Sequence, residues 1–173
     1  VMQRADAILT ELKRDSGAIR NQPEKMRALV DRQILPLIDF EAMSKLVLGV
    51  EWKRANAEQR EAFSAAFQEL LVRTYTKSIR EYANVDILFY PERTRTDGKY
   101  ATVYSDFVPG GGKPNVPVEY SLRSTDKGWM VYDLTIEGLS LVKNYRTSFK
   151  DEIQATSLDA LIARLQKDPE PTS

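Results

Sequence analysis

The sequence contains no cysteine and no histidine among its 173 residues. Without cysteine, disulfides, thiol nucleophiles and thiolate metal sites are excluded. Without histidine, the chain lacks the usual general base near neutral pH and the commonest metal ligand. An enzyme built from this sequence would therefore depend on carboxylates, lysine or tyrosine.

A net charge and long apolar runs are also missing. The 25 Lys and Arg residues balance 25 Asp and Glu residues, and no basic block stands out. Nucleic-acid binders usually carry a clustered positive face, so we expect no nucleic-acid partner. No run approaches the ~18 apolar residues that a membrane-spanning helix needs.

Helical periodicity predominates over roughly the first half of the chain. Apolar residues recur at helical spacing over residues 2–15. A second helix is predicted to begin at Pro23 and to kink or end at Pro36. Asp39 is a candidate N-cap for a short third helix. Asn56, with Gln59 three residues later, forms a capping-box pattern that predicts the longest helix.

From about residue 85 the apolar residues alternate with a period of two. This pattern predicts strands over residues 85–90, 100–108, 116–123 and 129–137, joined by short turns as an antiparallel meander. On the last strand, one face is predicted to carry Met130, Tyr132, Leu134 and Ile136.

Two further helices are predicted after the break at Gly138, the first of them capped by Ser140. The expected fold class is therefore α+β, with a four-stranded antiparallel meander packed against N-terminal and C-terminal helices. We expect a single domain over residues 1–173, mainly helical in 1–83, sheet in 84–137 and helical again in 138–167. The strand carboxylate of Asp133 is expected to pair with a nearby arginine, such as Arg146.

The apolar faces of the long helix, the sheet and the helix at 141–153 must all be covered. A closed core would cover them, whereas a gap between the layers would form a dry cavity that binds apolar guests. Periodicity alone leaves three classes of protein open: a carrier, a small α+β pocket enzyme using carboxylates, and an adaptor without a ligand.

Several stretches resemble one known family. They are Leu71-Val72-Arg73-Thr74-Tyr75, Trp129-Met130-Val131-Tyr132-Asp133 and, most specifically, Glu137-Gly138-Leu139-Ser140-Leu141-Val142-Lys143-Asn144-Tyr145-Arg146. Together with matching positions from about Pro23 to Leu165, they resemble the MlaC, or toluene-tolerance, family.

The resemblance implies a soluble periplasmic phospholipid carrier whose signal peptide has been removed. It implies transport of lipid between an outer-membrane lipoprotein–porin complex and an inner-membrane ABC transporter with an MCE-domain subunit, which maintains outer-membrane lipid asymmetry. We therefore expect no enzymatic activity and no cofactor, with phospholipid bound as cargo.

The candidate site follows from the predicted apolar faces. We expect a cavity between helices and sheet lined by Phe67, Leu71, Tyr75, Val103, Val118, Tyr120, Leu122, Leu134, Ile136, Val142, Tyr145 and Phe149. Burying a phosphate is costly unless it is paired, so the headgroup is expected to stay at the mouth in water. Contacts to a partner or headgroup are expected from Lys143, Arg146 and Lys150, and no metal site is expected.

Overall fold

The computed structural model describes residues 22–81 and 85–167, together with the single positions 7, 8, 10 and 14. For residues 77–81 it describes the backbone alone. The helix predicted over residues 2–15 lies almost entirely outside these ranges. None of the helices in this part of the chain is long and apolar enough to cross a membrane.

The first helix of the described chain, α1, is Pro23–Leu29, and a proline occupies its start as predicted. It continues as a π-helical segment, Val30–Ile34, and then as a 3-10 turn, Leu35–Leu37. The helical segment ends there, because Pro36 has no backbone N–H to continue the hydrogen-bond ladder. The predicted break at Pro36 is confirmed.

Two short helices follow, and the first of them begins at a side-chain cap. In α2, Phe40–Leu48, the Asp39 carboxylate accepts a hydrogen bond from the Ala42 amide at 3.0 Å. Gly49 ends α2 with a φ of 58°, which glycine adopts without steric cost, and α3, Val50–Arg54, follows.

The longest helix, α4, is Ala57–Glu81 and begins at a complete capping box. The Gln59 amide donates to the Asn56 side chain at 2.8 Å, and the Asn56 amide donates to the Gln59 side chain at 3.0 Å. Two amides that the helix itself cannot satisfy are thereby bonded. The cap and the helix predicted from the sequence are both confirmed.

After the sheet, the chain returns to helices α5, Leu141–Ala155, and α6, Leu158–Lys167. The Ser140 hydroxyl caps α5 by accepting from the Lys143 amide at 3.2 Å, as predicted.

In the described residues the sheet is antiparallel and has six strands rather than the four predicted. The first predicted strand, over residues 85–90, is present as one short strand at residues 86–89. The two additional strands are one at residues 95–97, which follows a 3-10 turn at Pro91–Arg93 in the predicted connection, and a two-residue strand after Gly138. The strands are β1 Asp86–Phe89, β2 Arg95–Asp97, β3 Tyr100–Val108, β4 Val116–Thr125, β5 Gly128–Ile136 and β6 Leu139–Ser140. Their order in the sheet is β1-β3-β4-β5-β6, and β2 also pairs with β3.

A β-bulge changes which residues of β5 share a face. Tyr120 pairs with Leu134, but Leu122 pairs with Val131, so one extra residue is inserted near Tyr132. The bulge puts Val131, not Met130 or Tyr132, on the face of Leu134 and Ile136. The prediction that all four even-numbered residues share one face is therefore wrong for Met130 and Tyr132.

The helical layer meets the sheet along β5. Ile38 forms an isolated parallel bridge with Val131, and the Asp39 amide donates to the Val131 carbonyl at 2.8 Å. Asp39 also accepts from the guanidinium of Arg123 on β4 at 2.8 Å. One carboxylate thus caps α2 and links that helix to the sheet.

Candidate functional site

The predicted lining residues fall into two groups in the structure. One group lies on α4 and α5 and belongs to, or packs against, a buried helical cluster. It comprises Phe67, Leu71, Tyr75, Val142, Tyr145 and Phe149. The other lies on one face of β3, β4 and β5 and comprises Val103, Val118, Tyr120, Leu122, Leu134 and Ile136.

The helical group is built around tightly packed rings. Phe67 is 0% exposed, and its ring centroid lies 5.6 Å from that of Phe63, 5.3 Å from Tyr145 and 5.9 Å from Phe149. Offset and edge-to-face pairs at these separations stabilise a core beyond the area that they bury. Phe67 therefore serves first to fasten α4 to α5.

Two tyrosine side chains of the helical group affect each other's ionisation. They are Tyr75 on α4 and Tyr145 on α5. Burial raises the pKa of both phenols, and the neighbouring Tyr145 raises that of Tyr75 further. Both side chains are therefore neutral hydrogen-bonding groups at physiological pH.

The sheet group is coherent in register. Val103 pairs with Tyr120, which pairs with Leu134, and Val118 pairs with Ile136. Directly opposed residues project from the same face of a sheet, so these side chains form one continuous surface. Val118 and Leu122 are buried, whereas Val103, Leu134 and Ile136 remain partly exposed. The middle of this face is apolar but incompletely covered.

The same sheet face contains one pair of polar side chains. Ser105 is only 2% exposed, and its hydroxyl donates to the phenol oxygen of Tyr120 at 3.1 Å. The ring of Phe89 lies 6.1 Å from that of Tyr120. Burial raises the pKa of the Tyr120 phenol, so the group stays protonated. Periodicity had placed Tyr120 on this face but gave no sign of its hydrogen bond.

A small surface cleft lies elsewhere, between the start of α2 and the β4–β5 turn. Its volume is about 330 Å³, and none of the predicted lining residues borders it. Charged side chains, including Asp39, Glu41, Arg123 and Lys127, form much of its wall. Its small size and the charged side chains in its wall make it unsuitable for long apolar chains.

The predicted basic contacts lie on one exposed side of α5. Lys143, Arg146 and Lys150 are spaced by three and four residues, so they share a helix face, and all three are exposed. The Arg146 guanidinium also donates to the carbonyl of Leu46 at 2.8 Å, which fixes its position beside α2.

The predicted pairing of Asp133 with Arg146 is wrong. The Asp133 carboxylate accepts from the Ser140 hydroxyl at 2.5 Å and from the Val142 amide at 3.1 Å. It therefore acts at the N-terminus of α5, where unsatisfied amides favour a negative charge. In the described ranges, no group of three or more acidic residues could hold a metal ion.

Comparison with known proteins gives concordant results. The family model described as MlaC protein matches residues 2–167. The chain is 25% identical over 169 residues to an intermembrane phospholipid transport system binding protein MlaC of Haemophilus influenzae, covering 96% of this chain and 79% of that protein. It is 28% identical over 153 residues to toluene tolerance protein ttg2D of Pseudomonas putida, covering 88% and 70%.

A solved structure with the same fold contains a ligand. It is the phospholipid-binding protein from Ralstonia solanacearum in complex with a phospholipid, with a TM-score of 0.87 and 29% sequence identity. The match covers 98% of this chain and 94% of the other. The similarity therefore extends over the helices and the sheet alike, and with the family-model match it shows that this chain belongs to the MlaC family.

Proposed function

We propose that the chain is a periplasmic phospholipid carrier that holds acyl chains against the apolar face of β3, β4 and β5. The observation that carries the proposal is the partial exposure of Val103, Leu134 and Ile136 in the middle of that face. In a closed sheet–helix core these central positions would be buried. The phospholipid bound to the similar Ralstonia solanacearum protein supports a phospholipid as the ligand.

Chain burial provides the driving force in this proposal. Each methylene removed from water contributes roughly 0.8 kcal/mol, so a two-chain lipid does not escape into water at a useful rate. The sheet face lacks charged residues among its central pairs, Val103–Tyr120–Leu134 and Val118–Ile136. A phosphate would be costly there, and we propose that the headgroup stays at the mouth and that its type matters little.

No bond is made or broken in this function. The strand carboxylate closest in sequence to α5, Asp133, is already engaged by Ser140 and the Val142 amide as a helix cap. We expect alanine at Asp133 to lower stability and to leave no hydrolytic activity to lose. Hydrolysis of a phospholipid ester that vanished with Asp133→Ala would contradict this assignment.

The test of the carrier blocks the proposed volume. Leu134→Trp should lower the phospholipid that co-purifies with the protein, measured by native mass spectrometry and lipid extraction. Thr135→Trp is the matched control, because Thr135 is the next residue of β5 and projects from the opposite face. Equal lipid content in the two variants, both folded by circular dichroism, would contradict the proposed location.

We further propose that the exposed basic face of α5 contacts the membrane complexes that supply and receive lipid. These are the outer-membrane lipoprotein–porin complex and the inner-membrane ABC transporter complex with its MCE-domain subunit. The test of this proposal measures lipid content and lipid transfer separately. Lys143→Glu with Lys150→Glu should slow transfer to reconstituted partner complexes without emptying the protein. Lys113→Glu, in the exposed loop between β3 and β4, is the control. Loss of bound lipid in the α5 variant would assign that face to the headgroup instead.

A further inference from the structure

The hydroxyl pair on the sheet face has one more proton than its hydrogen bond uses. Ser105 and Tyr120 each carry one hydroxyl proton, and Ser105 donates its proton to the Tyr120 oxygen. The phenol proton of Tyr120 has no acceptor in the part of the chain that the structure describes. Tyr120 is partly buried, and a donor withdrawn from water without an acceptor costs free energy, so this position favours a ligand that supplies one.

The surroundings define the chemistry of that acceptor. The neighbours of Tyr120 on the face are Val103, Leu134 and its strand neighbours Val118 and Leu122, none of which is charged. A phosphate or a free carboxylate would enter this site without a countercharge. A neutral carbonyl oxygen needs only one neutral donor. Of the groups in a phospholipid, the ester carbonyls at the junction of headgroup and chains meet that requirement.

We propose that the Tyr120 phenol donates a hydrogen bond to an ester carbonyl of the bound lipid, with Ser105 orienting the phenol oxygen. This inference rests on the proposed carrier function. It adds which chemical group of the lipid is recognised and how far into the site that group lies. The glycerol ester region would lie beside Tyr120, and the acyl chains would extend past it along the apolar face. Burial of Tyr120 keeps the donor protonated throughout the physiological range, as its raised pKa indicates.

The experiment removes the side-chain hydroxyl and the lipid ester carbonyls, separately and together, and compares the effects. The ligands are dipalmitoyl phosphatidylglycerol and its dihexadecyl ether counterpart, which lacks both carbonyls. Each is offered as a labelled trace in phosphatidylcholine vesicles, and its equilibrium partition into delipidated protein is measured. Tyr120→Phe removes the phenol and keeps the ring that contacts Phe89. Tyr90→Phe is the control, since that hydroxyl donates to the Asp106 carboxylate at 2.8 Å.

We expect the native protein to favour the diester over the diether by about three- to tenfold, the range for one neutral hydrogen bond. Tyr120→Phe should abolish that preference, Ser105→Ala should reduce it because the phenol loses the group that orients it, and Tyr90→Phe should retain it. Equal partition of both lipids into the native protein, or an unchanged preference in Tyr120→Phe, would overturn this inference alone. Partition of neither lipid into the native protein would overturn the carrier function itself.

Discussion

The substitution Phe67→Ala separates a packing role from a lipid-lining role for the helical group. Phe67 is 0% exposed and contacts the rings of Phe63, Tyr145 and Phe149. Replacing a fully buried phenylalanine by alanine costs about 3–5 kcal/mol, since transfer energy is lost and a cavity remains. That is a large part of the roughly 5–15 kcal/mol by which a domain is stable.

The comparison variant is Leu134→Ala on the sheet. Leu134 is partly exposed, so its truncation should cost only about 1–2 kcal/mol in the delipidated protein. The assay is urea denaturation of delipidated protein followed by far-ultraviolet circular dichroism. Lipid must be absent, because a ligand that binds only the folded state adds its own stabilisation.

Adding lipid then distinguishes the two positions. The lipid-dependent gain in stability should be nearly unchanged in Phe67→Ala and smaller in Leu134→Ala, because only Leu134 contacts the chains in our proposal. A cost below 1 kcal/mol for Phe67→Ala would refute the packing argument. A lipid-dependent gain that fell in Phe67→Ala and not in Leu134→Ala would place the chains among the helices instead.

Three other substitutions test individual contacts. Asp39→Ala should lower the free energy of unfolding by about 2 kcal/mol, because it removes an N-cap and the partner of Arg123, whereas Asp39→Asn should retain the cap; thermal denaturation measures both. Glu137 has a φ of 51° in the two-residue β5–β6 turn, a conformation that asparagine adopts at lower cost than glutamate. Glu137→Asn should therefore raise the free energy of unfolding by about 0.5–1 kcal/mol. An unchanged or lower melting temperature would contradict this. The hydrogen bonds from Arg27 lower the pKa of Glu69 below its ordinary value, so they stabilise the fold at pH values above that ordinary pKa, and the stabilisation is lost as the pH falls through the depressed pKa. Glu69→Gln should therefore flatten the acid limb of the stability curve, and an unchanged limb would show that the pair does not contribute.

Local signals in the sequence predicted local structure well. The caps at Asp39, Asn56 and Ser140 are confirmed because each depends on residues three positions apart, which the sequence displays directly. The bulge at Tyr132 was missed because the alternation from Met130 to Ile136 contains no glycine or other mark of an inserted residue. One such insertion reverses the facing of every residue beyond it.

The candidate site illustrates a different limit. Periodicity assigned Phe67 and Leu134 to apolar faces, but it does not predict which other residues or ligands pack against each face. Ring packing covers Phe67, whereas Leu134 stays partly exposed. Asp133 shows that the partner of a charged residue is also hard to predict from the sequence. Arg146 was the predicted partner, but the chain reverses after Gly138 and places the N-terminus of α5 beside the Asp133 carboxylate.

The division between a closed helical core and an incompletely covered sheet face has an energetic consequence for a carrier. Stability supplied by the rings around Phe67 does not depend on cargo, so the protein can stay folded when lipid leaves. Chain transfer from a bilayer to an apolar pocket exchanges one apolar environment for another, and its net free energy is small compared with transfer from water. A single neutral hydrogen bond at Tyr120 would add only a few-fold preference to that balance. In the function that we propose, uptake and release would both proceed from the same sheet face, and the direction of transport would come from the partner complexes.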